Sequence, residues 1–122
     1  MASNLELIAL SAHEAVMLLR AGEVSPVEMV DAAADRIAAV DGDVNAMPTL
    51  CLDKAREQAK SLTTPDEPGP GWLAGLPIAV KDLNEVAGVR TTFGSPVFAD
   101  HVPAADEISV SHLRRSGAIF LG

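Results

Sequence analysis

Apolar residues recur at helical spacing in the first half of the chain and gather into short unbroken runs in the second. Ala12, Val16 and Leu19 share one helical stripe, with Ala15 and Leu18 beside it. Ser11 opens this segment and Glu14 follows three residues later, a capping box in which hydroxyl and carboxylate satisfy the free N–H groups of the helix start. Gly22 ends it, because glycine takes the left-handed turn past a helix without steric cost. The pattern then restarts. Ser25-Pro26-Val27-Glu28 is a second capping box with proline at the first helical position, where its missing N–H does no harm. Val24 and Met29 are spaced for a hydrophobic staple, Val30, Ala33, Ala34 and Ile37 continue the stripe, and Asp41-Gly42-Asp43 is expected to stop it. These two helices are predicted to form an antiparallel pair across a short turn.

Leu52, Ala55, Ala59 and Leu62 mark a third helix. Ala46 to Leu50 is expected as a short strand, confined to an edge by Pro48. Thr63 to Gly71 reads as a surface loop. Leu76 to Val80 has the length and branching of a buried strand. The stretch from Asp82 to about Ala105 is long and irregular, and Gly88, Gly94, Pro96 and Pro103 give it defined turns; loops of this length commonly carry function. Asp106 is expected to start a helix bearing Ile108, Val110 and Leu113. Arg114 and Arg115 suit its negative C-terminal end, and Gly117 caps it. Ala118 to Leu121 begins a second buried strand. Strand, loop, helix and strand imply a right-handed parallel crossover. The fold class expected is therefore α/β: N-terminal helices followed by the start of a mixed, largely parallel sheet. One domain is expected over 1–122, helical over 1–45 and opening an α/β core over 46–122. Two core strands before Gly122 read as the first part of a larger sheet.

Composition narrows this picture. The chain is 48% hydrophobic but 3% aromatic, with no tyrosine, so its core must come from Leu, Val, Ile and Ala. A net charge of −8 argues against nucleic acid as a partner, because phosphate neutralisation needs clustered Lys and Arg. Cys51 is the only cysteine, which excludes a disulfide within the chain and suits a reducing compartment. The start of the chain lacks the basic and then apolar pattern of a signal peptide, and no apolar run is long enough for a bilayer. A cytoplasmic location without membrane contact is expected.

Among chemistry-bearing residues, Gly69-Pro-Gly71-Trp-Leu-Ala74 matches a dinucleotide fingerprint in spelling only; no strand precedes it and no helix follows. His13, His101 and His112 lack metal-ligand spacing, so no metal is expected. His101 lies in the long loop. Cys51 reads as a small apolar residue. Lys81 differs, because it ends an apolar strand. In strand geometry Ile78 and Val80 point one way and Ala79 and Lys81 the other. The C-terminal end of a parallel strand is where α/β proteins place ligands. Two readings stay open from position alone: a strand-end ammonium paired with Asp82 or Glu85, or a lysine that loses water and acts as a general base.

Gly75-Leu-Pro-Ile-Ala-Val-Lys81-Asp82, then Gly88, Thr91-Thr92, Gly94-Ser95, Asp106, Leu113 and Gly117-Ala-Ile119 together resemble the amidase signature family. The N-terminal helices, "VNAMPTL" and the helix after it resemble that family's N-terminal part. The resemblance implies an amide hydrolase with a Ser–cis-Ser–Lys triad acting on a small-molecule amide without a cofactor. Lys81 matches the catalytic lysine, taking a proton through the bridging serine from the serine nucleophile, which attacks the carbonyl to give an acyl-enzyme. Backbone N–H groups would hold the oxyanion and water would release the acid. Asp82, Thr92, Gly94 and Ser95 match positions that shape the loop near the site. The Gly/Ser-rich segment that carries both serines in the family has no counterpart here, and neither Ser25 nor Ser95 replaces it. The expectation is an N-terminal portion of an amidase, inactive alone, which associates with the C-terminal remainder of the fold or with itself. Two alternatives accompany it. One is a non-catalytic interaction module or one chain of a split enzyme. The other is part of the transamidating subunit of a tRNA-dependent amidotransferase. "LNEVAGVRTTFGS" is closer to the stand-alone amidases.

Overall fold

The structure is a computed structural model and describes residues 3–122. Over those residues the chain forms five α-helices and two short strands. Helix α1 (Asn4–Ile8) is not marked by the apolar pattern, being only five residues long. Its start is nevertheless written in the sequence: Ser3 and Glu6 form a third capping box. Helix α2 (Ala12–Ala21) begins at the Ser11–Glu14 box and ends at Gly22, which takes a left-handed conformation. Its buried stripe is Ala15 and Leu19, whereas Ala12 is exposed.

Helix α3 (Pro26–Val44) starts at the Ser25–Glu28 box and carries Met29, Val30, Ala32 and Ala34 into the interior. It does not stop at Asp41-Gly42-Asp43. One glycine costs a helix about 1 kcal/mol, too little to break one this long. The end comes at left-handed Asn45, and the Asp41 carboxylate accepts from the Ala46 N–H at 2.7 Å. Nor are α2 and α3 an antiparallel pair. Helix α3 packs along α1 and along α4 (Leu52–Ser61), while α2 meets it only through the shared apolar cluster of Ala15, Leu19, Val24, Met29 and Ala32. Polar contacts fix both α3 interfaces: Asn4 Nδ2 donates to Asp35 at 2.6 Å, and Arg56 Nε to Asp31 at 2.7 Å.

Residues 46–50 form no strand. Pro48 has no N–H for a ladder, and the segment instead crosses the end of the sheet, where Cys51 N–H donates to Leu121 O at 2.8 Å. Strands β1 (Pro77–Ile78) and β2 (Ile119–Phe120) pair in parallel, with Pro77 opposite Ile119 and Ile78 opposite Phe120. Backbone bonds extend the pairing both ways, from Leu73 N–H to Ser116 O at 2.7 Å and from Val80 N–H to Gly122 O at 2.9 Å. Strand β2 is buried on both faces. Ile119 and Leu121 meet Val30, Ala55 and Ala59 of the helical layer, and Ala118 and Phe120 meet Val86, Val89 and Val110 on the other side. The apolar run of β1 predicts equal burial, but Pro77 and Ile78 are only half-buried and Ala79 is exposed, whereas β2 sits between two apolar clusters.

Helix α5 (Ile108–Arg115) starts two residues later than expected, with Glu107 as its cap. Asp106 has another task. Its carboxylate takes Arg114 Nε at 2.6 Å, Arg114 Nη2 at 2.9 Å and the Ala87 N–H at 2.8 Å, tying the long loop to the helix. Val110 is buried, but Ile108 is 79% exposed and forms no part of the stripe predicted for it. Gly117 joins α5 to β2 at φ 84°, and a Cβ there would lie 2.6 Å from the Trp72 ring, so both conformation and space demand glycine.

Candidate active site

The end of β1 builds the site. After Val80 bonds to Gly122 the chain turns sharply, and Asn84 N–H donates to Lys81 O at 2.9 Å. The turn leaves the Lys81 side chain exposed at the mouth of a cavity of about 260 Å³. Thr49 and Pro48 form one wall, Arg90 and Thr91 another, and Asp82 and Gly122 lie beside the lysine. The Thr49 hydroxyl in this wall is buried without a hydrogen-bond partner among the described residues.

Neither carboxylate offered by the sequence as a partner for Lys81 takes that part. No ion pair to Lys81 forms among the described residues. Asp82 turns to the long loop: its Oδ1 accepts from the Thr92 N–H at 2.7 Å and its Oδ2 from the Thr92 hydroxyl. That hydroxyl accepts in turn from the Gly94 N–H at 3.2 Å, and Ser95 N–H donates to Thr92 O at 2.9 Å. The Ser95 hydroxyl caps the following 3-10 turn by accepting from Val97 N–H at 3.3 Å. Asp82, Thr92, Gly94 and Ser95 thus form one hydrogen-bonded turn, anchored on the residue that follows Lys81. Ser25 lies elsewhere in the fold, where it caps α3.

Glu85 is engaged by His101, whose Nε2 lies 2.8 Å from its Oε1. The imidazole packs on Phe93 and Phe98, at ring separations of 5.8 and 6.0 Å. Arg90 is a wall residue that sequence reasoning missed. Its guanidinium donates to Ala99 O at 3.0 Å and to Pro48 O at 3.4 Å, joining the loop to the segment before α4. No periodicity or motif marks these contacts, which span 9 and 42 residues of chain. Cys51 lies outside the cavity, half-buried, with its thiol donating to Phe120 O at 3.3 Å; burial pushes that thiol above its ordinary range. Among the described residues no cluster of His, Cys, Asp and Glu could hold a metal ion, and no helix is long and apolar enough to cross a membrane.

This arrangement has relatives. The Amidase family model matches residues 28–122, and the chain belongs to that family. The A-type chain of glutamyl-tRNA(Gln) amidotransferase from Moorella thermoacetica is 42% identical over 97% of this chain, and its counterpart from Carboxydothermus hydrogenoformans is 39% identical over 97%. The chain spans about a quarter of the length of each of these relatives, 25% in both cases. Among solved structures, a bacterial aryl acylamidase of the amidase signature family superposes with a TM-score of 0.80 at 28% identity, covering 93% of this chain and 24% of that one. The fold is thus that of amidase signature enzymes, α/β with a small parallel sheet over the described residues.

Proposed function

We propose that this chain supplies the general-base lysine of an enzyme that hydrolyses a carboxylic amide to an acid and ammonia or an amine. The observation that carries the reading is the placement of Lys81: at the C-terminal end of a parallel strand, on the rim of a cavity, with both neighbouring carboxylates committed elsewhere. A lysine can act as a base only after losing its proton, and an adjacent carboxylate opposes that loss. In this reading the remainder of the catalytic fold brings a bridging serine and a serine nucleophile to the open side of the cavity. Lys81 accepts the nucleophile's proton through the bridging hydroxyl, the serine oxygen attacks the amide carbonyl, and the amine leaves with a proton returned along the same path. Water then attacks the acyl-enzyme. The Asp82–Thr92–Gly94–Ser95 turn shapes the loop beside the lysine. The 122 residues form the N-terminal part of a single amidase domain, helical first and then entering the α/β core.

The test is Lys81→Ala in a complete amidase polypeptide carrying this segment. Removing a general base of this kind costs about 10²- to 10⁴-fold in turnover. Near-normal turnover in a folded variant refutes the lysine assignment; amide hydrolysis by the 122-residue polypeptide alone that disappears on Lys81→Ala refutes instead the expectation that this segment is inactive by itself. A second reading, membership in a transamidating complex, draws on the curated relatives, both of them chains of glutamyl-tRNA(Gln) amidotransferases. Glutamine-dependent amidation of a charged tRNA in the presence of partner proteins supports that reading; free amide hydrolysis without any partner favours the first.

A further inference from the structure

We propose that Thr92 is a positioning residue that acts on Lys81 through Asp82: by occupying both oxygens of the adjacent carboxylate, it keeps the lysine without a counter-ion. The inference rests on the lysine reading above and concerns how that lysine is kept fit to accept a proton. Asp82 follows Lys81 in the chain and lines the same cavity, so it is the acid from which the ammonium could draw a counter-ion. Its Oδ1 is held by the Thr92 N–H at 2.7 Å and its Oδ2 by the Thr92 hydroxyl. The hydroxyl can give its one proton to Asp82 because it accepts from Gly94 N–H at 3.2 Å. The grip is therefore directional, and it turns the carboxylate toward the loop.

The charges around Lys81 make the consequence specific. Of the residues lining the cavity, only Asp82 and Arg90 carry charge besides Lys81 itself. Arg90 is itself a cation and supplies no counter-ion. From the turn after β1, Glu85 is the next acid, and His101 engages it at 2.8 Å. From the segment before α4, the wall is Ala46, Met47, Pro48 and Thr49, none of them ionisable. Asp82 is thus the one acidic side chain lining the cavity among the described residues, and Thr92 governs where it points.

The test is the pH dependence of kcat/KM for amide hydrolysis in the complete enzyme. Thr92→Val keeps the backbone N–H and the side-chain shape but removes the hydroxyl, freeing Oδ2 toward Lys81. The acid limb of the profile is expected to move up by about one pH unit, since an opposite charge within a few ångströms stabilises an ammonium by that order. Thr92→Ser restores the hydroxyl and is expected to return the limb to its original place. In the double variant Asp82→Asn/Thr92→Val the shift is expected to vanish, because the charge responsible is gone. A folded Thr92→Val enzyme with an unmoved limb overturns the proposal, and so does a shift that persists in the double variant. Should Thr92→Val not fold, Asp82→Asn alone decides. The limb stays in place if the carboxylate is already turned away; a drop of about one unit means that Asp82 pairs with Lys81 in the native enzyme, and the proposal fails. Lys81→Ala separates the two inferences. Full activity in that variant removes the lysine reading itself, whereas an inactive Lys81→Ala beside an unshifted Thr92→Val removes only the role of Thr92.

Discussion

At the scale of single residues, Asp106 shows how far a local reading can mislead. Its position before an apolar run suggests a helix start, and Arg114 eight residues later suggests a charge placed for the helix dipole. Arg114 does stand in the last turn of α5, but the fold also joins it to Asp106, and it lies over the Phe120 ring at 4.8 Å from its centre. The Arg114 guanidinium, and after it the Ala87 N–H, hold the Asp106 carboxyl below its ordinary range against the opposing effect of burial. Asp106→Ala leaves a guanidinium and a backbone N–H without their acceptor, and about 2 kcal/mol of stability is expected to be lost near neutral pH. The sign of the pH dependence follows. A carboxyl whose folded-state pKa is depressed contributes its full stabilisation above the ordinary aspartate range and loses it as pH falls through the depressed value. Denaturant titrations of wild type and Asp106→Asn should therefore differ most at neutral pH and converge in acid. A gap that stays constant on acidification would contradict the pairing. The same scale limits what the sequence disclosed about the site. The place of Lys81 at the end of an apolar run and on the rim of the cavity was legible from Leu76 to Val80. Arg90 and the His101–Glu85 contact were not, because nothing local shows where a side chain in a long loop will find its partner.

At the scale of elements, caps carried most of the information. Each of the first three helices starts at a serine with glutamate three residues on, and each of those boxes closes in the structure. The two that precede a long apolar stripe mark whole helices; the Ser3–Glu6 box marks a start only, because the five residues after it carry too little periodicity to define a helix. Strands were legible as runs but not in their burial, since the chain's own pattern does not reveal which of two paired strands the helices will cover. Gly117 and Gly22 give a matched test of the helix ends. Both have left-handed φ, 84° and 71°, but a Cβ at Gly117 would meet Trp72 at 2.6 Å whereas one at Gly22 meets nothing within 4 Å. Gly22→Ala is expected to cost about 1 kcal/mol, from conformation alone. Gly117→Ala is expected to cost that plus roughly 1–3 kcal/mol of overpacking against the indole. Equal losses in urea titrations would mean that Trp72 yields freely and does not fix the α5–β2 joint.

At the scale of the whole molecule, the sheet and the helices are unequal partners. Helices α1 to α4 and Trp72 bury two apolar clusters, whereas the sheet has two strands of two residues each. Two strands rarely stand alone in water, and a parallel pair is ordinarily covered on both faces with neighbours on either side. Here β1 is half-buried, and Leu83, Val102, Phe98 and Ile108 are exposed by 50, 55, 43 and 79%. Unpaired strand edges and exposed apolar side chains both favour association. In the amidase reading, the remaining part of the domain covers this side and completes the cavity at Lys81. The 122-residue polypeptide expressed by itself is therefore expected to self-associate, with a sedimentation coefficient that rises with protein concentration. A polypeptide comprising the other part of the domain, added in equimolar amount, is expected to replace that self-association with a defined 1:1 complex. A monomer at every concentration, unfolding in one cooperative step, would instead mean that the helical layer and two strands suffice for a finished fold, and that the open side of the cavity needs no further chain to close it.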